Sequence, residues 1–173
     1  MNWWIAAFFT IVLVFGLVVA RGAPYVPSHR RFVRLAFTQL YKLSSKDVVV
    51  DLGSGDGLVL RIAAEKASRA IGYELNPILV AISKALSWNN RRIETKIADF
   101  WLVDLPRDTT VIYVFAVTRD IAKLERKLQE SVDLWGHSVS VVTYGAQLKS
   151  KQPVEILHAH SLYVFDPQPL QRA

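Results

Sequence analysis

The chain has 173 residues and no cysteine, with apolar types at 51% and charged types at 21%. This composition excludes a disordered or collagen-like chain, and the lack of thiols excludes a disulfide scaffold, a cysteine nucleophile and zinc or iron–sulfur sites built on thiolates. The net charge of +6 is localised: Arg21, Arg30, Arg31, Arg34, Lys42 and Lys46 supply it, and from Asp47 onward fifteen basic and fifteen acidic residues cancel. A nucleic-acid-binding domain would need a basic face of its own, so no nucleic-acid partner is expected.

Residues 3–20 form an apolar run broken only by Thr10 and Gly16. As a helix it reaches about 27 Å, against a hydrocarbon core of about 30 Å. Trp3 and Trp4 fall at one interface and Arg21 at the other, as aromatic belts and the positive-inside tendency require. The reading is a single-pass membrane protein with the bilayer as partner and the following domain facing the cytoplasm. The six cations behind the run suit an anionic leaflet. A cleaved signal peptide and a buried core helix are the competing readings, although the first would need a basic start that Met1 and Asn2 do not provide.

After the run, two prolines in RGAPYVPS favour a stiff, extended linker, and Ser28 is placed to cap the next helix. Apolar residues then recur at helical spacing from His29 to Leu43. Asp47 to Leu52 is a β-branched run typical of a strand buried on both faces. Beyond it the pattern alternates: helix 58–67, strand 70–74, helix 77–89, strand 93–98, strand 110–115, helix 119–135 closed by Gly136, and strand 138–144. Strands 155–158 and 161–165 are two residues apart, too close for a crossover helix, so they predict an antiparallel hairpin. The fold class is therefore α/β: a single Rossmann-like, doubly wound, mostly parallel sheet with an antiparallel C-terminal hairpin, preceded by one N-terminal transmembrane helix.

Three motifs fall at the carboxyl ends of the first three strands. In DLGSGDG the glycines Gly53, Gly55 and Gly57 permit a tight turn into a helix whose N-terminus adds a positive field. The turn is expected to let backbone N–H groups approach a nucleotide-like ligand. It is not the dinucleotide fingerprint, because Leu58 stands where that pattern needs glycine. Asp51, two residues before the first glycine, suits a cationic ligand end and repels a pyrophosphate. Glu74 closes the second strand, where a carboxylate can accept both hydroxyls of a ribose. Asp99, followed by Phe100 and Trp101, offers an amine acceptor and flat walls for an adenine ring.

DLGSGDG, GYELNP and the acid of ADFW resemble the cofactor motifs of class I S-adenosylmethionine-dependent methyltransferases, which bind the methionine end, ribose and adenine respectively. In order, APYVPS, DLGSGDG, GYELNP, DFWLVDL and LYVFD are similar to motifs of the small membrane-anchored lysine N-methyltransferases. Mitochondrial members of that family modify the c-subunit of ATP synthase and the adenine nucleotide translocase. The resemblance implies S-adenosyl-L-methionine as cofactor, held by Asp51, Gly53, Ser54, Gly55, Gly57, Glu74, Asp99 and Phe100. It implies Nε-methylation of lysine on a membrane protein, with Tyr25, Pro27 and Thr118 facing the substrate. It divides the chain into an anchor (1–21), a basic juxtamembrane linker and helix (22–46) and a methyltransferase domain (47–173). No catalytic base is identified. The alternatives are a methyltransferase for a lipid-like or small-molecule acceptor, and a non-catalytic module that binds the cofactor. Phe115-Ala116-Val117-Thr118 departs from the Asp/Asn-Pro-Pro-aromatic pattern of amino-directed DNA enzymes, which argues against nucleobase amines.

Other residues carry plainer readings. Asp56 either caps the helix after the loop or touches ligand. Asn76 starts the next helix. Trp88 and Trp135 read as core or sheet-covering residues. His158 and His160 lack cysteine or acidic companions at ligand spacing, so no metal is expected.

Overall fold

The computed structural model describes residues 2–10 and 28–168. Residues 3–10 are helical (α1) and exposed, and among the described residues no helix is long and apolar enough to cross a membrane. Residues 11–21 of the predicted anchor lie outside the described residues, as do Tyr25 and Pro27.

The helix predicted from His29 begins at Arg30 as α2 (Arg30–Leu35) and widens into a π-turn over Ala36–Leu40. His29 occupies its N-cap without a side-chain hydrogen bond, so Ser28 does not cap it. The strands are β1 (Val48–Leu52), β2 (Arg69–Glu74), β3 (Ile93–Ile97), β4 (Val111–Ala116), β5 (Val139–Gly145), β6 (Glu155–Leu157) and β7 (His160–Phe165). Between them come α3 (Leu58–Ala63), α4 (Pro77–Leu86), a 3-10 turn over Thr118–Asp120 and α5 (Ile121–Trp135). Helices α3 and α4 are shorter than their apolar patterns suggest, because the last residues of each run form turns.

One seven-stranded sheet runs in the order β3-β2-β1-β4-β5-β7-β6. The first five strands are parallel, while β7 is antiparallel to β5 and to β6, which makes the predicted hairpin and tucks its second strand inside the sheet. All five residues of β1 are buried, since helices cover both faces. Val48, Val50, Leu52, Ile112 and Val114 meet the stripe Ile121, Leu124, Leu128 and Val132 of α5 on one face. Val49, Val111, Tyr113 and Val142 meet α2, the π-turn and α3 on the other. Gly136, at φ +74°, ends α5 as expected.

At the amino end of β1, Asp47 ties the π-turn to the sheet. Its carboxylate accepts from the Tyr41 hydroxyl (2.9 Å), the Ser44 amide (2.7 Å) and the Thr110 hydroxyl (2.9 Å). Burial alone would raise its pKa, but bonds from Ser44, Thr110 and Tyr41 outweigh burial and lower it. Burial and the neighbouring Asp47 push the Tyr41 phenol up to about 12.

Candidate functional site

The carboxyl ends of β1, β2 and β3 converge around the glycine loop. Gly53, Gly55 and Gly57 all have positive φ, at 91°, 53° and 77°. A side chain on Gly53 would enter open space with nothing within 4 Å, so the loop leaves a cradle there. One on Gly57 would collide with the Ser83 side chain of α4, its Cβ lying 2.1 Å from Oγ.

The amides of Gly53, Ser54, Gly55 and Gly57 turn inward, against the expectation that the loop's amides face a ligand. Gly53 and Ser54 N–H both donate to the Tyr73 carbonyl (2.9 and 3.0 Å), and Gly57 N–H donates to the Ser54 carbonyl (2.8 Å). Gly55 N–H donates to Glu74 Oε2 (2.9 Å). The first turn of α3 is likewise closed by Asp56, whose Oδ1 accepts from Leu58 N–H (3.1 Å) and whose carboxylate pairs with Arg61 at 3.3 Å. Gly57 occupies the N-cap position of α3, and Asp56, one residue before it, closes the turn into the helix. A loop that spends its amides internally offers no nest for a phosphate, whereas its acids suit a cation.

Asp51 is 3% exposed. Burial, then the negative charge of Glu74, then that of Asp56, push its carboxyl well above the usual carboxylate range. The Oγ of Ser54 is buried without a hydrogen-bond partner. A ligand with a positively charged group answers both defects. Glu74 holds the loop with one oxygen and accepts from Asn76 N–H with the other (2.8 Å); each oxygen keeps a lone pair for a hydroxyl. Asn76 caps α4 by accepting from Ile78 N–H (2.9 Å), as expected.

Asp99 Oδ1 accepts from Trp101 N–H (3.0 Å), leaving the other oxygen for an amine. The Phe100 and Trp101 rings lie 4.5 Å apart and pack on the α5 side of the core. Lys123 Nζ sits 4.2 Å from the centre of the Trp101 ring, so one face of that indole is taken. Thr118 lies exposed at the start of the 3-10 turn beyond β4. Trp135 packs against the core as expected, but Trp88 is 85% exposed and covers nothing.

A row of side chains that motif reading missed adjoins the loop. Asp51 is the register partner of Tyr113, and in the next row Phe115, Tyr144 and His160 are partners across β4, β5 and β7. The Phe115 and Tyr144 rings are 5.6 Å apart, and those of Tyr144 and His160 4.8 Å. His160, 1% exposed, shares a 2.9 Å hydrogen bond with the Tyr113 hydroxyl. Burial, reinforced by the charge of His158, lowers His160 to about 4, so it is neutral and accepts that proton. Burial, with Asp51 and Tyr144 adding, raises the Tyr113 phenol despite an opposing bond from Ser28. His158, at the hairpin tip, packs on Phe32 at 5.0 Å, which fixes the start of α2 beside the row. Among the described residues no acid–histidine cluster able to hold a metal occurs.

A sheet in this order, with an acid-flanked glycine loop after β1 and acids ending β2 and β3, has the Rossmann-like fold of the S-adenosylmethionine-dependent methyltransferases. The family is narrower than that class: the chain belongs to the family of the ANTKMT methyltransferase domain, which matches residues 51–155. It is 37% identical over 109 residues to the ATP synthase c-subunit lysine N-methyltransferase of Xenopus laevis, an alignment covering 61% of this chain and 47% of that protein. A protein-lysine N-methyltransferase of Saccharolobus islandicus (strain REY15A) is 27% identical over 153 residues, covering 82% of this chain and 92% of that one. An RNA methyltransferase from Salinibacter ruber, solved with S-adenosyl-L-homocysteine, shares the fold with a TM-score of 0.72 at 23% identity, over 86% of this chain and 98% of that one. The chain spans 47% of the Xenopus laevis enzyme and 62% of its Homo sapiens counterpart.

Proposed function

We propose that this chain is a membrane-anchored S-adenosylmethionine-dependent protein-lysine N-methyltransferase acting on a membrane protein. The observation that carries the reading is the row Phe115–Tyr144–His160, which continues from the acid-lined glycine loop along one face of the sheet. Bound S-adenosylmethionine supplies an electrophilic methyl group, and the acceptor must be a neutral nitrogen aligned with it. Asp51 and the Ser54 hydroxyl suit the charged methionine end, Glu74 the ribose hydroxyls, and Asp99 with Phe100 the adenine.

The aromatic row suits the acceptor. Its ring faces attract an alkylammonium on entry, while its apolar surroundings disfavour the charged amine and lower its pKa from about 10.4. Positioning and desolvation then take the place of a dedicated base. Membrane attachment is supported by the apolar run at residues 3–20 and the six cations behind it. A protein acceptor is supported by the lysine-directed relatives. The reading divides the chain into anchor (1–21), basic linker and helix (22–46) and methyltransferase domain (47–173), with the domain on the cytoplasmic side.

The test incubates the full chain with radiolabelled S-adenosylmethionine and membranes from its source. Label is expected on lysine of a small membrane protein, and label found only in the organic extract rejects the protein acceptor. A chain that binds the donor but labels nothing under any mixture is a binding module and not an enzyme.

A further inference from the structure

Helix α4 is built the wrong way round for a helix that only covers a sheet. Its inner side is partly polar: Ser83 is buried beside Val80 and its Oγ meets Thr95 Oγ1 at 2.8 Å, and the buried cap residues Asn76 and Ser87 stand at either end. Its outer side is apolar. Ile78, Ile82 and Leu86 are 38%, 42% and 57% exposed, Ala81 and Ala85 lie exposed between them, and Trp88 follows at 85%. The spacing i, i+3, i+4, i+7, i+8 makes a single continuous ridge along the helix. Patches of this kind on a folded domain mark contact surfaces.

The charges around the ridge say what it contacts. No acid occurs between Glu74 and Glu94, while Lys84, Arg91 and Arg92 do. Lys84 and Arg91 line a cleft of about 290 Å³ between the end of α4 and the edge strand β3, together with Trp88, Thr95 and Ser87. The Ser87 hydroxyl there is buried without a partner. Two cations, a spare hydroxyl and an exposed indole suit a phosphodiester headgroup, and an apolar ridge on a helix that carries no acid, with Glu94 of the neighbouring strand paired to Lys96, matches an interfacial helix.

We propose that α4 lies on the anionic leaflet, its ridge at the acyl boundary and its basic cleft around lipid phosphates. The inference rests on the reading of residues 3–20 as a membrane segment, which brings the domain to a bilayer. Each cation that reaches the leaflet strengthens attachment about fivefold.

The absence of cysteine makes the test direct. Full chains carrying Ile82→Cys, or Glu130→Cys on the exposed side of α5, are labelled with an environment-sensitive fluorophore. They are reconstituted into phosphatidylcholine vesicles with and without phosphatidylserine, and attachment is checked by flotation. The label at position 82 is expected to shift to the blue and to be quenched severalfold more by a lipid-borne nitroxide than by aqueous iodide, with the reverse at position 130. Replacing Lys84, Arg91 and Arg92 with Gln should abolish the phosphatidylserine dependence of that burial. Vesicles that float with the label at 82 as water-accessible as that at 130 leave the anchor standing and overturn the docking of α4. Chains that do not float overturn both. Oxidative cross-linking of two chains through Cys at position 82 in the vesicles makes the occupant a second copy and overturns the lipid assignment.

Discussion

Replacing Asp51 with Asn separates the stability of the domain from its ability to bind a cation. The side chain keeps its shape and loses a charge buried among Glu74 and Asp56. An unsatisfied buried charged group costs roughly 1–3 kcal/mol or more, so the ligand-free Asp51→Asn protein should be more stable than the parent by about that amount at neutral pH. For a domain of this size each kcal/mol corresponds to about 3 °C in Tm. The same change should weaken S-adenosylmethionine binding about ten- to hundredfold, the equivalent of one charge-assisted contact of about 1.5–3 kcal/mol. The pH dependence has a definite sign. Because the folded pKa is raised, the native state binds more protons than the unfolded one, so stability falls as pH rises from the ordinary carboxylate value toward the folded one. Donor affinity rises over the same window, because the cation favours the ionised acid. Urea denaturation between about pH 4.5 and 8.5 and calorimetric titration of the donor measure both slopes. An Asn variant that is less stable than the parent, or that binds donor equally well with the same pH slope, would refute the assignment of Asp51.

Gly53→Val should abolish donor binding while leaving the far-UV circular dichroism unchanged, since the added group fills open space and the backbone strain at φ +91° is about 1–3 kcal/mol. Glu74→Ala should weaken donor binding and also loosen the loop, because it frees the amides of Gly55 and Asn76; unchanged donor affinity in a calorimeter would contradict the ribose assignment. His160 has its folded pKa depressed to about 4, so the parent should lose up to about 3 kcal/mol as pH falls from about 6.5 to 4, where the unfolded chain takes up the proton first. His160→Gln keeps an acceptor for Tyr113 and should flatten that slope in urea melts. Tyr144→Ala should raise KM for a lysine acceptor about tenfold or less with donor affinity unchanged, as expected for a lost cation–aromatic contact; a matching fall in donor binding would place the ring elsewhere.

The parallel sheet was legible because VVVDL and its counterparts are apolar on both faces, and the hairpin because two residues cannot carry a crossover. The acids at positions 51, 74 and 99 were legible for a related reason: a carboxylate ending an apolar strand has few purposes. What the loop does with its amides was not. The Tyr73 carbonyl takes two of them, and a backbone carbonyl has no residue type to betray it. The row Phe115–Tyr144–His160 was equally hidden, because it depends on the register of β7 against β5, set by hairpin geometry and not by composition. Trp88 reads as a core residue because size and aromaticity favour burial, yet it stands in solvent. The polar contact on the inner side of α4, where Ser83 meets Thr95, with Ile78, Ile82 and Leu86 outward, departs from the usual sense of an apolar stripe.

The final strand in chain order occupies the sixth place in the sheet, between two strands made before it. During synthesis the edge of β5 stays bare until residues 160–165 have emerged, so the sheet cannot close progressively from its start. His160 rides on that strand and supplies the acceptor for the Tyr113 hydroxyl. A chain stopped short of it would hold the glycine loop but lack one wall beside it. Until then, the bare edge of β5 is open to pairing with another chain.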